Sequence, residues 1–89
     1  MKTKKGFTLR SLGNEHLLVA ESVETANFNR MISMNESAAM LWKAIDGKDF
    51  DADTLINLLM ENYDISRDVA ERDVAALLKS WKEAEIIEN

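Results

Sequence analysis

The chain has 89 residues and lacks cysteine and proline altogether; it has three glycines and a single histidine. Without cysteine there is no disulfide, no thiolate metal site and no thiol nucleophile, and the composition fits a reducing compartment. His16 stands alone, so a zinc site would need several carboxylates gathered around it; it reads as an exposed structural histidine beside a turn. Three scattered glycines leave no loop to cradle a phosphate. The serines (Ser11, Ser22, Ser33, Ser37, Ser66 and Ser80) have no base partner except the distant His16, which argues against nucleophilic chemistry. No apolar run approaches the roughly 20 residues of a membrane span. The start, MKTKKGFTL, is interrupted by Arg10 and the Gly13–Glu15 turn before a signal-peptide core could form. Positive charge is also in deficit: 11 Lys and Arg against 16 Asp and Glu give a formal charge of −5. Bulk electrostatics therefore repel nucleic acid. These absences point to a cytoplasmic, non-enzymatic protein with no cofactor, no metal and no membrane.

Hydrophobic residues make up 46% of the chain, enough for one core. The expected organisation is a flexible N-terminus over residues 1–5 and a single domain over 6–89. Phe7 to Leu12 alternates as a strand does. Gly13-Asn14 suits a two-residue hairpin turn because both residues tolerate positive φ, and Glu15 to Ala20 returns. After the polar ESVETAN, Phe28 to Met34 alternates again. Phe28, Ile32 and Met34 fall on one side, with Arg30 the exception; Asn29, Met31 and Ser33 fall on the other.

The period then changes with no loop between. In NESAAMLWKAIDG, Ala38, Leu41, Trp42 and Ile45 recur at i, i+3, i+4 and i+7. Asn35 is the expected N-cap and Gly47 the stop. A second helix has Asp51 as its cap, Phe50 and Leu55 as a hydrophobic staple, and Leu55, Leu58, Leu59 and Tyr63 as its stripe. A third has Ser66 as its cap and Ala70, Val74, Leu77, Leu78, Trp81 and Ala84 as its stripe. Ile86-Ile87 can add a short extended piece. Strands followed by helices imply an α+β fold.

Two features invite a sharper reading. DFDAD (Asp49, Asp51, Asp53) resembles the start of a calcium loop, but Thr54 stands where the sharp turn needs Gly and Met60 where a bidentate Glu is needed. A helix cap explains the acids better. Met31 points away from Phe28, Ile32 and Met34, so it reads either as a lone exposed apolar residue or as an adaptable contact for a partner. The flank of the third helix carries Arg67, Arg72, Lys79 and Lys82 against Asp68, Glu71, Asp73, Glu83 and Glu85. Such mixed signs read as a solvated face with pairs such as Asp68–Arg72 and Lys79–Glu83, rather than as a groove-reading helix of DNA.

GFTLRSLGNEHLLVA, NFNRMISMNESAAMLWKAIDG and YDISRDVAERDVAALLKSWKEAEII, in that order and spacing, resemble the PqqD family over about residues 4 to 88. The resemblance implies a winged helix-turn-helix-like fold: a three-stranded antiparallel N-terminal sheet followed by three α-helices. It implies a non-catalytic module, a peptide chaperone or recognition element. Such a module binds the leader of a ribosomally made precursor peptide and presents it to a maturase, often a radical SAM enzyme. The peptide would add as a strand along Asn29, Arg30, Met31, Ile32, Ser33 and Met34. The facing wall would come from Val69, Arg72, Asp73, Ala76 and Ser80. Nothing in these residues singles out the quinone pathway. Two alternatives stay open: a winged-helix DNA-binding regulator, which the charge opposes, and an orphan scaffold domain. An edge strand can also pair with its own copy, so monomer and homodimer are both open.

Overall fold

A computed structural model describes residues 1–20 and 31–88. Its elements are β1 (Lys2–Thr3), β2 (Phe7–Leu12), β3 (Glu15–Ala20), β4 (Met31–Met34), α1 (Glu36–Ile45), α2 (Ala52–Asn62), α3 (Arg67–Glu83) and β5 (Ile87–Glu88). The three-stranded sheet has the order β2-β3-β4 and is antiparallel throughout. Leu12 pairs with Glu15 across Gly13-Asn14, and Gly13 has φ +61°. Asn14 has negative φ, so positive φ at the first turn position alone gives the II′ pattern.

Each helix starts at the residue its chemistry favours. Asn35 Oδ1 accepts from the Ala38 amide at 2.8 Å, Asp51 Oδ1 from the Thr54 amide at 2.9 Å, and Ser66 Oγ from the Val69 amide at 3.3 Å. The Thr54 amide, and after it the Thr54 hydroxyl, holds the Asp51 carboxyl below its ordinary pKa. This cap is the role the structure gives to the centre of DFDAD. α1 closes with the Asp46 amide on the Trp42 carbonyl, and Gly47 follows at φ +79°.

One core joins the sheet to the helices. Phe7, Leu18 and Met34 meet Ala38, Leu41, Trp42 and Ile45 of α1, Leu55 and Leu59 of α2, and Ala70, Val74, Leu78 and Trp81 of α3. The rings of Trp42 and Trp81 meet edge to face at 5.3 Å and 88°, a favoured aromatic geometry. Phe50 and Leu55 are both buried, as a staple requires. The stripe of α2 is rotated from the expected one. Ile56 is buried, whereas Leu58 is half-buried and Tyr63 exposed. Leu55, Ile56 and Leu59 suffice to fill the space beneath the helix, and Tyr63 already lies beyond its last turn as the C-cap.

Residues 1–5, expected as a flexible terminus, are tied to the body. Thr3 pairs with Ile87 and Lys2 with Glu88 in a two-stranded antiparallel sheet, and the Lys4 amide donates to the Ile86 carbonyl at 2.9 Å. The Met1 amino nitrogen donates to the Phe50 carbonyl at 2.8 Å. Thr3 Oγ1 accepts from the Gly47 amide at 3.0 Å. The reason lies at the other end of the chain. Ile86 and Ile87 are buried, and β5, which starts at Ile87, needs a main-chain partner.

α3 makes that strand possible by stopping sharply. Glu85 takes the left-handed conformation at φ 61°. The Ile86 amide reaches back to the Trp81 carbonyl and the Glu85 amide to the Lys82 carbonyl. This is the Schellman pattern, with buried Ile86 and Trp81 at its two apolar positions.

Candidate functional site

β4 lies at the edge of its sheet, and its alternation decides what it offers. Met34 is buried and Ile32 half-buried, while Met31 is 62% exposed and Ser33 is exposed. Asn29 and Arg30, the first two residues of the expected docking strand, lie outside the described residues, as does Phe28.

The hairpin register fixes which main-chain groups of β4 are free. Leu12 and Glu15 close a two-residue turn, so they form a hydrogen-bonded pair, and so does every second pair beyond them: Arg10 with Leu17 and Thr8 with Val19. The main chain of Glu15, Leu17 and Val19 therefore faces β2, and that of His16 and Leu18 faces β4. The partners of His16 and Leu18 are Met34 and Ile32. It follows that Ile32 and Met34 spend their N–H and C=O groups on β3, whereas those of Met31 and Ser33 point outward. Among the described residues no strand pairs with that edge.

Beside the end of β4 opens a cleft of about 370 Å³. It is lined by Asn35, Ser37, Ala38 and Leu41 at the start of α1, by Leu59 of α2, and by Asp73, Ala76, Leu77 and Ser80 of α3. Three of the five expected wall residues, Asp73, Ala76 and Ser80, thus share one cleft. Val69 and Arg72 do not line it; both are exposed on α3. Asp73, Ala76, Leu77 and Ser80 follow i, i+3, i+4 and i+7 on one flank; Val69 shares that flank but lies a turn nearer the start of the helix, outside the cleft, while Arg72 points toward a neighbouring flank. Leu77, expected in the core stripe, is half-buried at the cleft wall instead. The contribution of the first turn of α1 was not anticipated. Its signal was present in the sequence: Asn35 ends β4 and begins α1 in one step, which places that turn next to the strand edge.

The polar surface of α3 is organised differently from the pairs expected. Arg67 bridges Glu71 at 3.1 Å and Asp53 of α2 at 3.2 Å. Neither Asp68 with Arg72 nor Lys79 with Glu83 is an ion pair among the described residues. The arrangement combines a strand edge unpaired among the described residues, an exposed methionine on its open face, and a mixed apolar and polar cleft beyond it. His16 is engaged with Ser11, its cross-strand partner, at 2.7 Å between Oγ and Nδ1.

Fold and cleft together define an α+β winged-helix-like domain in which the β4 edge, unpaired among the described residues, leads through Asn35 into a helix-walled cleft. The chain belongs to the PqqD family, whose model, described as coenzyme PQQ synthesis protein D, matches residues 15–87. Among solved structures the fold is similar to that of TbiB1 in complex with the TbiA(beta) leader peptide. The TM-score is 0.77 at 17% identity, over 100% of this chain and 96% of that one. It is also similar to that of lasso peptide synthetase B1 complexed with the leader peptide. There the TM-score is 0.69 at 23% identity, over 93% of this chain and 91% of that one. No curated protein matches the chain significantly.

Proposed function

We propose that the chain is a non-catalytic recognition element that binds the leader segment of a ribosomally made precursor peptide and presents it to a maturase. A radical SAM enzyme is the maturase class the family resemblance suggests. The observation that carries this reading is the outward-facing main chain of Met31 and Ser33 on a strand that runs, through Asn35, into the α3 cleft. Both structural neighbours carry leader peptides in their solved complexes, which supports it. The leader adds as a strand on β4. Main-chain hydrogen bonds provide affinity without dictating sequence, and the cleft chooses side chains. The docking residues are Asn29, Arg30, Met31, Ile32, Ser33 and Met34 on the strand, with Asp73, Ala76 and Ser80 on the helix.

The register supplies a test that ordinary alanine scanning lacks. Proline at Ser33 or Met31 removes an outward N–H and leaves the β3 ladder intact; proline at Ile32 removes a ladder donor. Ser33→Pro and Met31→Pro are each expected to weaken binding of a leader peptide encoded beside the gene by at least about tenfold, the scale of one buried hydrogen bond. Their unfolding midpoints should stay near wild type, while Ile32→Pro should lower the midpoint. Isothermal titration and urea denaturation measure both. Unchanged affinity in Ser33→Pro and Met31→Pro would exclude strand addition on this edge. The regulator alternative is opposed by the net charge of −5 and by α3, where acids interleave with the cations and Arg67 is held by two carboxylates. A steep salt slope in duplex binding would be needed to revive it.

A further inference from the structure

Among the described residues, Asp73 is the one charged residue lining the α3 cleft. It is also the only acid of α3 with no Lys or Arg three or four residues away: its neighbours at those positions are Val69, Ala70, Ala76 and Leu77. Glu71, by contrast, has Arg67 at 3.1 Å. No hydrogen bond or ion pair joins the Asp73 carboxylate to any described residue. Immediately beside it the wall is small and apolar, through Ala76 and Leu77, with Leu41 and Leu59 across the cleft.

Spacing links the two halves of this wall. Asp73 and Leu77 lie one helical turn apart, about 6 Å along the axis. Residues two apart on a strand, which share a face, are separated by about 6.7 Å. In a strand added to β4, the residues opposite Met31 and Ser33 share their solvated face, and those between them turn to the face of Ile32 and Met34, toward the cleft. Resting on the peptide-binding reading above, we propose that the cleft selects a cationic leader motif. It consists of an aliphatic side chain seated against Ala76 and Leu77, and a Lys or Arg two residues away whose charge meets Asp73. The overall charge of −5 acts in the same direction at long range.

A library of random 12-residue displayed peptides tests this, selected in parallel on the wild-type protein, on Asp73→Lys and on Ser33→Pro. Wild type is expected to enrich peptides with Lys or Arg two positions from Leu, Ile or Val; Asp73→Lys is expected to enrich Asp or Glu at that position. For a wild-type-selected peptide, Asp73→Asn should weaken binding about three- to fivefold, the scale of a partly exposed ion pair, and the loss should shrink at high salt. Enriched peptides that lack the cation, or that are the same for wild type and Asp73→Lys, would overturn the proposal. If those peptides still fail on Ser33→Pro, the strand-addition reading survives that result. Peptides that bind Ser33→Pro as well as wild type, or no enrichment on any variant, would overturn both.

Discussion

Asn35 stands where β4 has just ended, and its Oδ1 starts α1 by accepting from the Ala38 amide and from the Ser37 hydroxyl, at 2.8 and 3.1 Å. Asn35→Ala removes the cap and should cost about 1 kcal/mol, lowering the melting temperature by about 4–8 °C for a domain of this size. Asn35→Asp should retain most of it. Thermal unfolding followed by circular dichroism measures both, and equal melting temperatures for alanine and wild type would remove the cap as a source of stability. Asp51 makes a pH-dependent version of the same contact. Its folded pKa lies below the ordinary 3.8, because the Thr54 amide and hydroxyl bond the ionised form. Its contribution is therefore present above the unfolded pKa and lost as pH falls through the folded value. The difference in urea midpoint between wild type and Asp51→Ala should be largest near neutrality and shrink below the ordinary value. A difference independent of pH would show that the carboxylate's charge is irrelevant to the cap.

At the level of elements, helix starts and the hairpin were legible because a few residue types do chemically specific work. Asn35, Asp51 and Ser66 each accept the amide their position predicts, and Gly13 supplies positive φ where the two-residue turn needs it. Stripes were less legible. Leu58, Leu59 and Tyr63 fit a helical period as well as Ile56 does; which of them is covered depends on how α1 and α3 pack over α2, a non-local matter. Half of the cleft was hidden for the same reason, since periodicity assigns Leu77 to a stripe without saying that the stripe's border is open. The outward main chain of Met31 and Ser33 could be derived only once the register of β3 against β4 was known. Those two positions, and not Ile32, are where proline should separate binding from folding.

For the molecule as a whole, the largest departure from expectation is the tie between its ends. Removing residues 1–5 deletes the Met1–Phe50, Thr3–Gly47 and Lys4–Ile86 bonds together with the β1–β5 ladder. A loss of about 2–4 kcal/mol is expected, at roughly 1 kcal/mol per bond, a sizeable share of the 5–15 kcal/mol that holds a typical domain. None of the deleted residues lines the α3 cleft, so leader affinity at a temperature where the shortened chain is folded should match wild type. Urea unfolding and titration with the same peptide check the two halves separately. The pairing of Lys2 with Glu88 also brings the first and last described strands side by side, running in opposite directions. Geometrically the domain is a plug with both leads on one side. It could be spliced into a surface loop of a host enzyme, or have its ends joined by a few residues and be reopened elsewhere, with its reading edge left in place.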